Sequence, residues 1–569
     1  MSSPRLRVQF ETLFEHFNGQ DADAQLEDVV DILFCTRRNA RIVLNKMEEE
    51  GWIEWHPAAG RGKLSKLIFK RSRADVSENL ARRYLDEGKI GQALSVLDHD
   101  ANKLTQVIQS YLGVQHQEGL QVVRLPYYRP LSMLNPLKPM RRSEQHIARQ
   151  IYSGLTRFDE EEQLKPDLAH AWQSINPQHW RFYLRPGVRF HNGNLLTTAA
   201  VVESLWNLRF VNLFSHIEKV ESPSDCIVDI LLQKPDTRLP QLLAECCAKV
   251  LLPESERSET FDLMPIGTGP YKVVLNDEKR LVLQAFDSYF GFRSLLDRVE
   301  VWVIDEAHSS MVFPSLSNPV KNKRGSSTED VDLDPGCTYL LLNRRHGIAA
   351  DETWAEYLCH KLSAMNLFKL MPEQNIVELG VLPAHGLKPG WYHQVAVSHS
   401  VTPNEPKRLT VAYHGQHPTF PMIAKAIEQL LKEDGIGVDF IKYELTVENA
   451  SEVDIWIKPM GIASHRDDAL AGWLLNDSDI EHLSRPNDFR LWSDLIDQWR
   501  AQSETNFPGK EIGKSLVESR QVIPMFHCWL GISKDQCGSL QNAKCNALGW
   551  FDFSQVWVKP EFDLAYNNK

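Results

Sequence analysis

"CTRRNARIVLNKMEEEGWIEW", residues 35–55, places three arginines at the head of a helical pattern that runs into a tryptophan-flanked strand. Ala40, Val43, Leu44 and Met47 recur at i, i+3, i+4 and i+7, which predicts a buried stripe. Arg37, Arg38, Arg41, Asn45 and Glu48 fall on the opposite side. Thr36 stands at the N-cap position, although Asn39 does not complete a capping box with it. A cation near a helix N-terminus opposes the helix dipole, so these arginines are poorly placed for stability alone and point to an external anion. The phosphates and guanine edges of a DNA major groove supply one.

The flanks extend the pattern. Leu6, Phe10, Leu13, Phe14 and Phe17 predict a helix over 5–17 that ends at Asn18 and Gly19, and Leu26, Val29, Val30 and Leu33 predict a short second helix. "GWIEWHPAAGRGKLSKLIFKR", residues 51–71, reads as a strand from Trp52 to Trp55, a tight connection from Pro57 to Gly62 and a second strand from Lys66 to Arg71. Three helices and a basic hairpin make a winged helix-turn-helix. Its candidate DNA contacts are Thr36, Arg37, Arg38, Asn39, Arg41 and Asn45 on the third helix, with Arg61, Lys63 and Lys66 in the wing. Taken singly, each arginine reads more readily as solvated surface; the ordered set favours DNA.

At 569 residues the chain is too long for one core. Its net charge of −12 is unevenly placed: residues 1–34 carry −5, residues 35–73 carry +6 and the remainder carries −13. Local charge decides what a surface attracts, so a small basic face on an acidic body remains compatible with nucleic acid. No apolar run reaches the roughly 18 residues of a membrane span, and "MSSPRLRVQFETLFEHF" lacks the features of a secretory leader, so a cytoplasmic protein without membrane contact is expected. Nine cysteines without a C-x-x-C pair suit reduced thiols better than a disulfide framework or zinc site.

Residues 74–115, with "ARRYLDEGKIGQALSVLD", predict short helices broken at Gly88, a helical connector or dimerisation element. From Gln121 the texture changes. "QVVRLPYYRPLSMLNP" reads as a buried strand leaving into an aromatic, proline-rich loop. In "HWRFYLRPGVRFHNG", residues 179–193, Trp180, Phe182 and Leu184 alternate with polar residues up to a Pro-Gly turn, predicting a hairpin with Val188 and Phe190 on its return. "LLTTAAVVESLWNL" then starts a helix capped by Thr197 or Thr198.

"IYSGLTRFDE", "LKPDLAHAWQSI", "HWRFYLRPGVRFHNG" and "PIGTGPYKV" resemble the peptide-binding class of periplasmic solute-binding proteins, those of oligopeptide, dipeptide and nickel transporters. Joined to the winged helix, and with "RLRVQFETLF", "YYRPL", "RRSEQHIARQI" and "ALGWFDF", the chain resembles the SgrR family of bacterial transcriptional regulators over nearly its full length. The resemblance implies an α/β chain in which an N-terminal winged helix-turn-helix precedes a two-lobe, periplasmic-binding-protein-like domain of solute-binding family 5. The expected division is a DNA-binding domain at 1–73, the connector at 74–115, and the two-lobe domain at 116–569. Lobe one takes about 116–300 and 515–569, and lobe two about 301–514, where "DPGCTYLLLNRR" and "KRLTVAYHG" read as buried strands. The resemblance further implies a ligand-responsive regulator that activates the gene for a small regulatory RNA answering sugar-phosphate accumulation and represses its own gene. Its expected partners are double-stranded DNA and a small-molecule ligand, with a sugar phosphate as the leading class. A second copy of the chain and RNA polymerase are further candidates. The chain is shorter in its middle portion than the transporter proteins, so their peptide-contacting residues are not carried over.

Candidates for the cleft edge are Tyr127, Tyr128, Arg129, Arg141, Arg142, Gly267, Gly269 and Trp529. An anionic ligand calls for a bidentate guanidinium. The bland alternatives are tyrosines packed beneath a loop, with equal weight; an arginine paired with Glu144 or solvated, with at least equal weight; and glycines that permit a tight turn, which is the favoured reading for them.

No enzyme motif stands out. "AAGRGKLS" lacks the spacing and the Ser or Thr of a Walker A loop, and neither H-E-x-x-H nor G-x-S-x-G occurs. His414 and His417 are expected to be solvent-exposed rather than metal-bound, because no partner of suitable spacing lies near them. No cofactor or metal is expected. The competing readings are a cytoplasmic solute-binding module whose head binds protein, and a hydrolase or transferase on a two-lobe scaffold.

Overall fold

The computed structural model describes residues 4–58, 63–97, 107, 108, 110–117, 119–304, 330–373, 376, 380–392, 403, 408–417, 419–444, 446–532 and 539–560. The described residues through Leu112 form one compact unit, and those from Gly113 to Val303 and from 330 onward belong to a second.

The first unit runs α1 (Pro4–His16), β1 (Ala22–Ala24), α2 (Leu26–Ile32), α3 (Arg37–Glu49), β2 (Ile53–His56), β3 (Ser65–Phe69), α4 (Arg73–Asp86) and α5 (Ile90–Leu97). The strands form an antiparallel sheet in the order β1-β3-β2. Asn18 and Gly19, at φ 51 and 68, take the chain out of α1 in the left-handed region. The predicted stripe of α3 is buried, and with Phe10, Leu13, Val29, Trp52, Ile53 and Leu67 it forms one apolar core. Each of its Val, Leu, Ile, Phe and Met side chains contributes roughly 1.5–3 kcal/mol on burial. Strand β1, Ala-Asp-Ala, is too short and too poor in β-formers to read from sequence; the free edge of β3 recruits it through Ala22 to Leu67 and Ala24 to Ser65. Helix α4 packs onto this core, and α5 packs against α4. Val76 of α4 enters the core, and Arg7 of α1 donates to the Val96 carbonyl of α5 at 3.0 Å.

In the second unit the strand Leu120–Tyr127, buried from Val122 onward, lies inside a five-stranded sheet. It pairs in parallel with Arg298–Val303, so the chain returns there after a long excursion. The excursion includes a four-stranded antiparallel sheet in which Trp180, Phe182 and Leu184 are buried on one face of His179–Leu184. The predicted Pro-Gly hairpin does not form. Both edges of His179–Leu184 are occupied, by Ala169–Asn176 and Ile227–Leu232, so Val188 and Phe190 pack into apolar cores beyond the turn and only a single bridge, Arg189 to Leu195, follows. Thr197 caps the next helix, Thr198–Asn207.

The second lobe is built on a seven-stranded sheet that includes the buried strands Thr338–Leu342 and Arg408–His414. Val522–Ile532 pairs with Thr338–Leu342 and therefore belongs to this sheet. The return to the first lobe, expected from about residue 515, begins later: Leu540, Trp550, Phe551, Phe553, Val556 and Val558 join the first-lobe core.

Candidate nucleic-acid interface and ligand cleft

On α3, Thr36 Oγ1 accepts from the Asn39 amide at 3.3 Å, satisfying one of the free N–H groups of the first turn. No acidic residue stands in that turn to complement the dipole. Arg37, Arg38, Arg41 and Asn45 are exposed and Asn39 is partly so. Arg37 is ion-paired with Glu27 of α2, a solvent-facing pair of small worth that a phosphate could displace. Arg38 and Arg41 have no ion-pair partner among the described residues. Glu48 has a structural role, in which its carboxylate accepts from the Trp55 amide at 3.1 Å and ties α3 to β2. In the wing, Lys63 is exposed and Lys66 is exposed on β3 opposite His56, while Arg61 lies outside the described residues. One end of α3 and the adjoining wing strand thus present cations with few local counter-charges.

In the second unit the candidates separate into two groups. Tyr127 is buried in the first-lobe core, its hydroxyl 2.6 Å from Ser143 Oγ and its ring 5.3 Å from that of Trp550. Arg129 is also buried, in a bidentate pair with Glu144 whose second contact is 2.8 Å, and its guanidinium lies 5.3 Å from the Tyr127 ring and 5.7 Å from that of the half-buried Tyr128. Tyr127 and Arg129 are therefore packing rather than cleft edge. Gly267 and Gly269 follow the structural alternative given for them. A Cβ at Gly267 would stand 2.1 Å from the Ile151 carbonyl oxygen and one at Gly269 2.6 Å from that of Gln150, so both let this loop press against the helix Arg142–Ile151. Trp529 is half-buried and packs beside Gly380 on the strand Val522–Ile532, away from the tyrosine loop in sequence and pairing.

Arg141 and Arg142 do reach between lobes. Arg141 Nη1 lies 3.4 Å from His414 Nδ1. Arg142 pairs with Asp334 and donates to the Ala547 carbonyl at 2.7 Å. About two turns along the same helix, Arg149 approaches the Ala463 carbonyl at 3.4 Å, and across the same division Glu162 accepts from the Ser464 hydroxyl and the His465 amide, both at 2.7 Å. Sequence reasoning missed Asp334, Ala463 and Glu162 and read His414 as solvent-exposed; their partners stand roughly 190 to 310 residues away and leave no local pattern.

The expectation that His414 and His417 are solvent-exposed is overturned. His414 is buried, held by the Glu444 carbonyl at 2.8 Å, and burial together with the Arg141 guanidinium lowers its pKa to about 4. His417 is half-buried and stacks on Phe420 at 3.7 Å, and its desolvation there lowers its pKa to about 3. Both imidazoles are neutral packing groups. Among the described residues no three His, Cys, Asp or Glu side chains gather as a metal site, and no helix is long and apolar enough to cross a membrane.

Residues 5–119 match the model of the sugar transport-related sRNA regulator N-terminal family, and residues 163–313 match the middle part of bacterial extracellular solute-binding proteins, family 5. The HTH-type transcriptional regulators SgrR of Yersinia pseudotuberculosis and Pectobacterium atrosepticum are each 35% identical, over 98% of this chain and 100% of theirs. Among solved structures, the peptide-bound periplasmic protein DppA of Helicobacter pylori superposes with a TM-score of 0.63 at 15% identity, covering 77% of this chain and 98% of that one. The murein tripeptide binding protein MppA of Escherichia coli gives 0.61 at 16% identity, over 79% and 100%. At such identities the two structures speak for the two-lobe fold alone. The regulators, similar from end to end, decide the rest: this chain belongs to the SgrR family of HTH-type transcriptional regulators, a family of regulators rather than of enzymes.

Proposed function

We propose that this protein is a cytoplasmic, ligand-responsive DNA-binding regulator that sets α3 into a major groove and rests the β2–β3 wing on the neighbouring backbone. It activates the gene of a small regulatory RNA in the response to sugar-phosphate accumulation and represses its own gene. The observation that carries the reading is the exposed, cation-rich N-terminal half of α3, which has no acidic residue in its first turn. The two-lobe unit supplies the sensor. Its ligand is a small anion of the sugar-phosphate class, and Arg141 and Arg142, placed where the lobes meet, are its recognition residues. A ligand shifts such a regulator only by its difference in affinity between open and closed lobes, so the contacts it makes must be those of one state.

The test is fluorescence anisotropy of the full chain with duplexes spanning its own upstream region, at several salt concentrations, with and without sugar phosphates. Binding whose logarithm falls linearly with the logarithm of salt, and which shifts with a sugar phosphate, is the expected result. Absence of DNA binding at low salt would leave a solute-binding module whose head binds protein. DNA binding indifferent to every sugar phosphate would remove that ligand class.

A further inference from the structure

Ile42 stands out on the outer face of α3. At about 100° per residue, positions 38, 42 and 45 make one stripe, and that stripe points directly away from the buried Ala40, Val43, Leu44 and Met47. Arg38 and Asn45 are the exposed polar members of the stripe, and Ile42, 44% exposed, sits between them. Arg41, beside it in sequence, is exposed too. A single exposed aliphatic side chain is ordinary on a protein surface. Ile42 differs in its surroundings: it occupies the middle of a helix face otherwise made of groups that hydrogen-bond, and it is β-branched, a poor choice for an exposed helix interior where Lys, Gln or Glu would favour the helix more. Its exposed apolar surface is not used by the head's core, which lies on the other side of the helix.

We propose that Ile42 is a specificity-determining residue that reads a thymine through its C5-methyl group, flanked by hydrogen-bonding readout from Arg38 and Asn45. The inference rests on α3 lying in a major groove, the reading proposed above. In that groove the thymine methyl is the one apolar feature a base pair presents, so an aliphatic group at the centre of the reading stripe is matched to it. Arg38 and Asn45, one turn to either side, take guanine or adenine edges, so the recognised sequence places a thymine between purine contacts.

The full chain is used to select duplexes from a random-sequence pool, and thymines of the resulting consensus are then replaced one at a time by uracil, which removes only the methyl. Wild type should bind one uracil duplex about fourfold more weakly, the fold-change of one buried methyl. Ile42→Ala should lose that sensitivity while melting at the wild-type temperature, and Ile42→Val should keep it. A consensus in which no uracil replacement matters, or equal sensitivity in wild type and Ile42→Ala, overturns the assignment and leaves the DNA-binding reading standing. Failure to select any sequence overturns the DNA-binding reading and the assignment with it.

Discussion

Arg142 and Asp334 form an ion pair that joins the first lobe's helix Arg142–Ile151 to the turn leading into the second lobe's strand Thr338–Leu342. Asp334 is further fixed by the Gly336 amide at 2.9 Å. The pair is only partly screened from water, so Arg142→Met or Asp334→Asn should cost about 1–3 kcal/mol. Urea unfolding of the full chain measures this. An unchanged midpoint in both variants would show that the pair contributes nothing to holding the lobes.

Burial sets a contrast between two other arginine pairs. Arg129 and Glu144 are both nearly inaccessible, whereas Arg37 and Glu27 face solvent. Glu144→Gln leaves a buried guanidinium uncompensated and should cost about 3–5 kcal/mol. Glu27→Gln should stay within about 0.5 kcal/mol of wild type. Equal effects in the two variants would contradict the burial argument.

Direct and backbone contacts should separate in the head. Arg38→Ala or Arg41→Ala should lose about 1–3 kcal/mol of specific binding and change the preference at one base pair. Lys63→Ala or Lys66→Ala should weaken every sequence alike and reduce the salt slope by about one. Wild-type binding in all four variants would exclude α3 and the wing as the interface.

Acid should destabilise the second unit. Burial holds the pKa of His146 at about 3 and those of His191 and His414 at about 4, below the ordinary imidazole value of 6.5. The unfolded chain then binds protons that the folded chain refuses, so stability is fully present above pH 6.5 and is lost as pH falls toward 4. One fully excluded imidazole costs up to about 2 kcal/mol at pH 5. Urea midpoints at several pH values test this, and His146→Phe, whose ring can keep the stacking on Trp550 at 5.4 Å, should flatten part of the slope. A slope unchanged in that variant would show that His146 does not contribute to it.

The parts legible in the sequence were those governed by local period. The α3 stripe, the Thr36 cap and the alternation of Trp180, Phe182 and Leu184 all follow from residues within one element. What escaped depended on distant partners. For Arg129 and Gly267 the sequence left two readings open, and only the packed structure chooses: Glu144 closes on the guanidinium, and the Ile151 carbonyl stands behind the glycine. The missing hairpin after Pro186 is the same lesson in strand pairing: which edge is free is a property of the whole sheet.

The fit of Gly267 and Gly269 against the end of the helix Arg142–Ile151 has a mechanical consequence. With the loop's Gly269 amide on the Ile151 carbonyl at 2.8 Å, the helix cannot slide along its axis without breaking that seat. Arg142 and Arg149, spaced by about 10 Å along the axis, therefore travel as a single stiff comb. The contacts to Asp334 and Ala463 are thereby set by one rigid element, so the spacing of these two cross-lobe anchors is fixed by the helix and not by the loops that carry their partners.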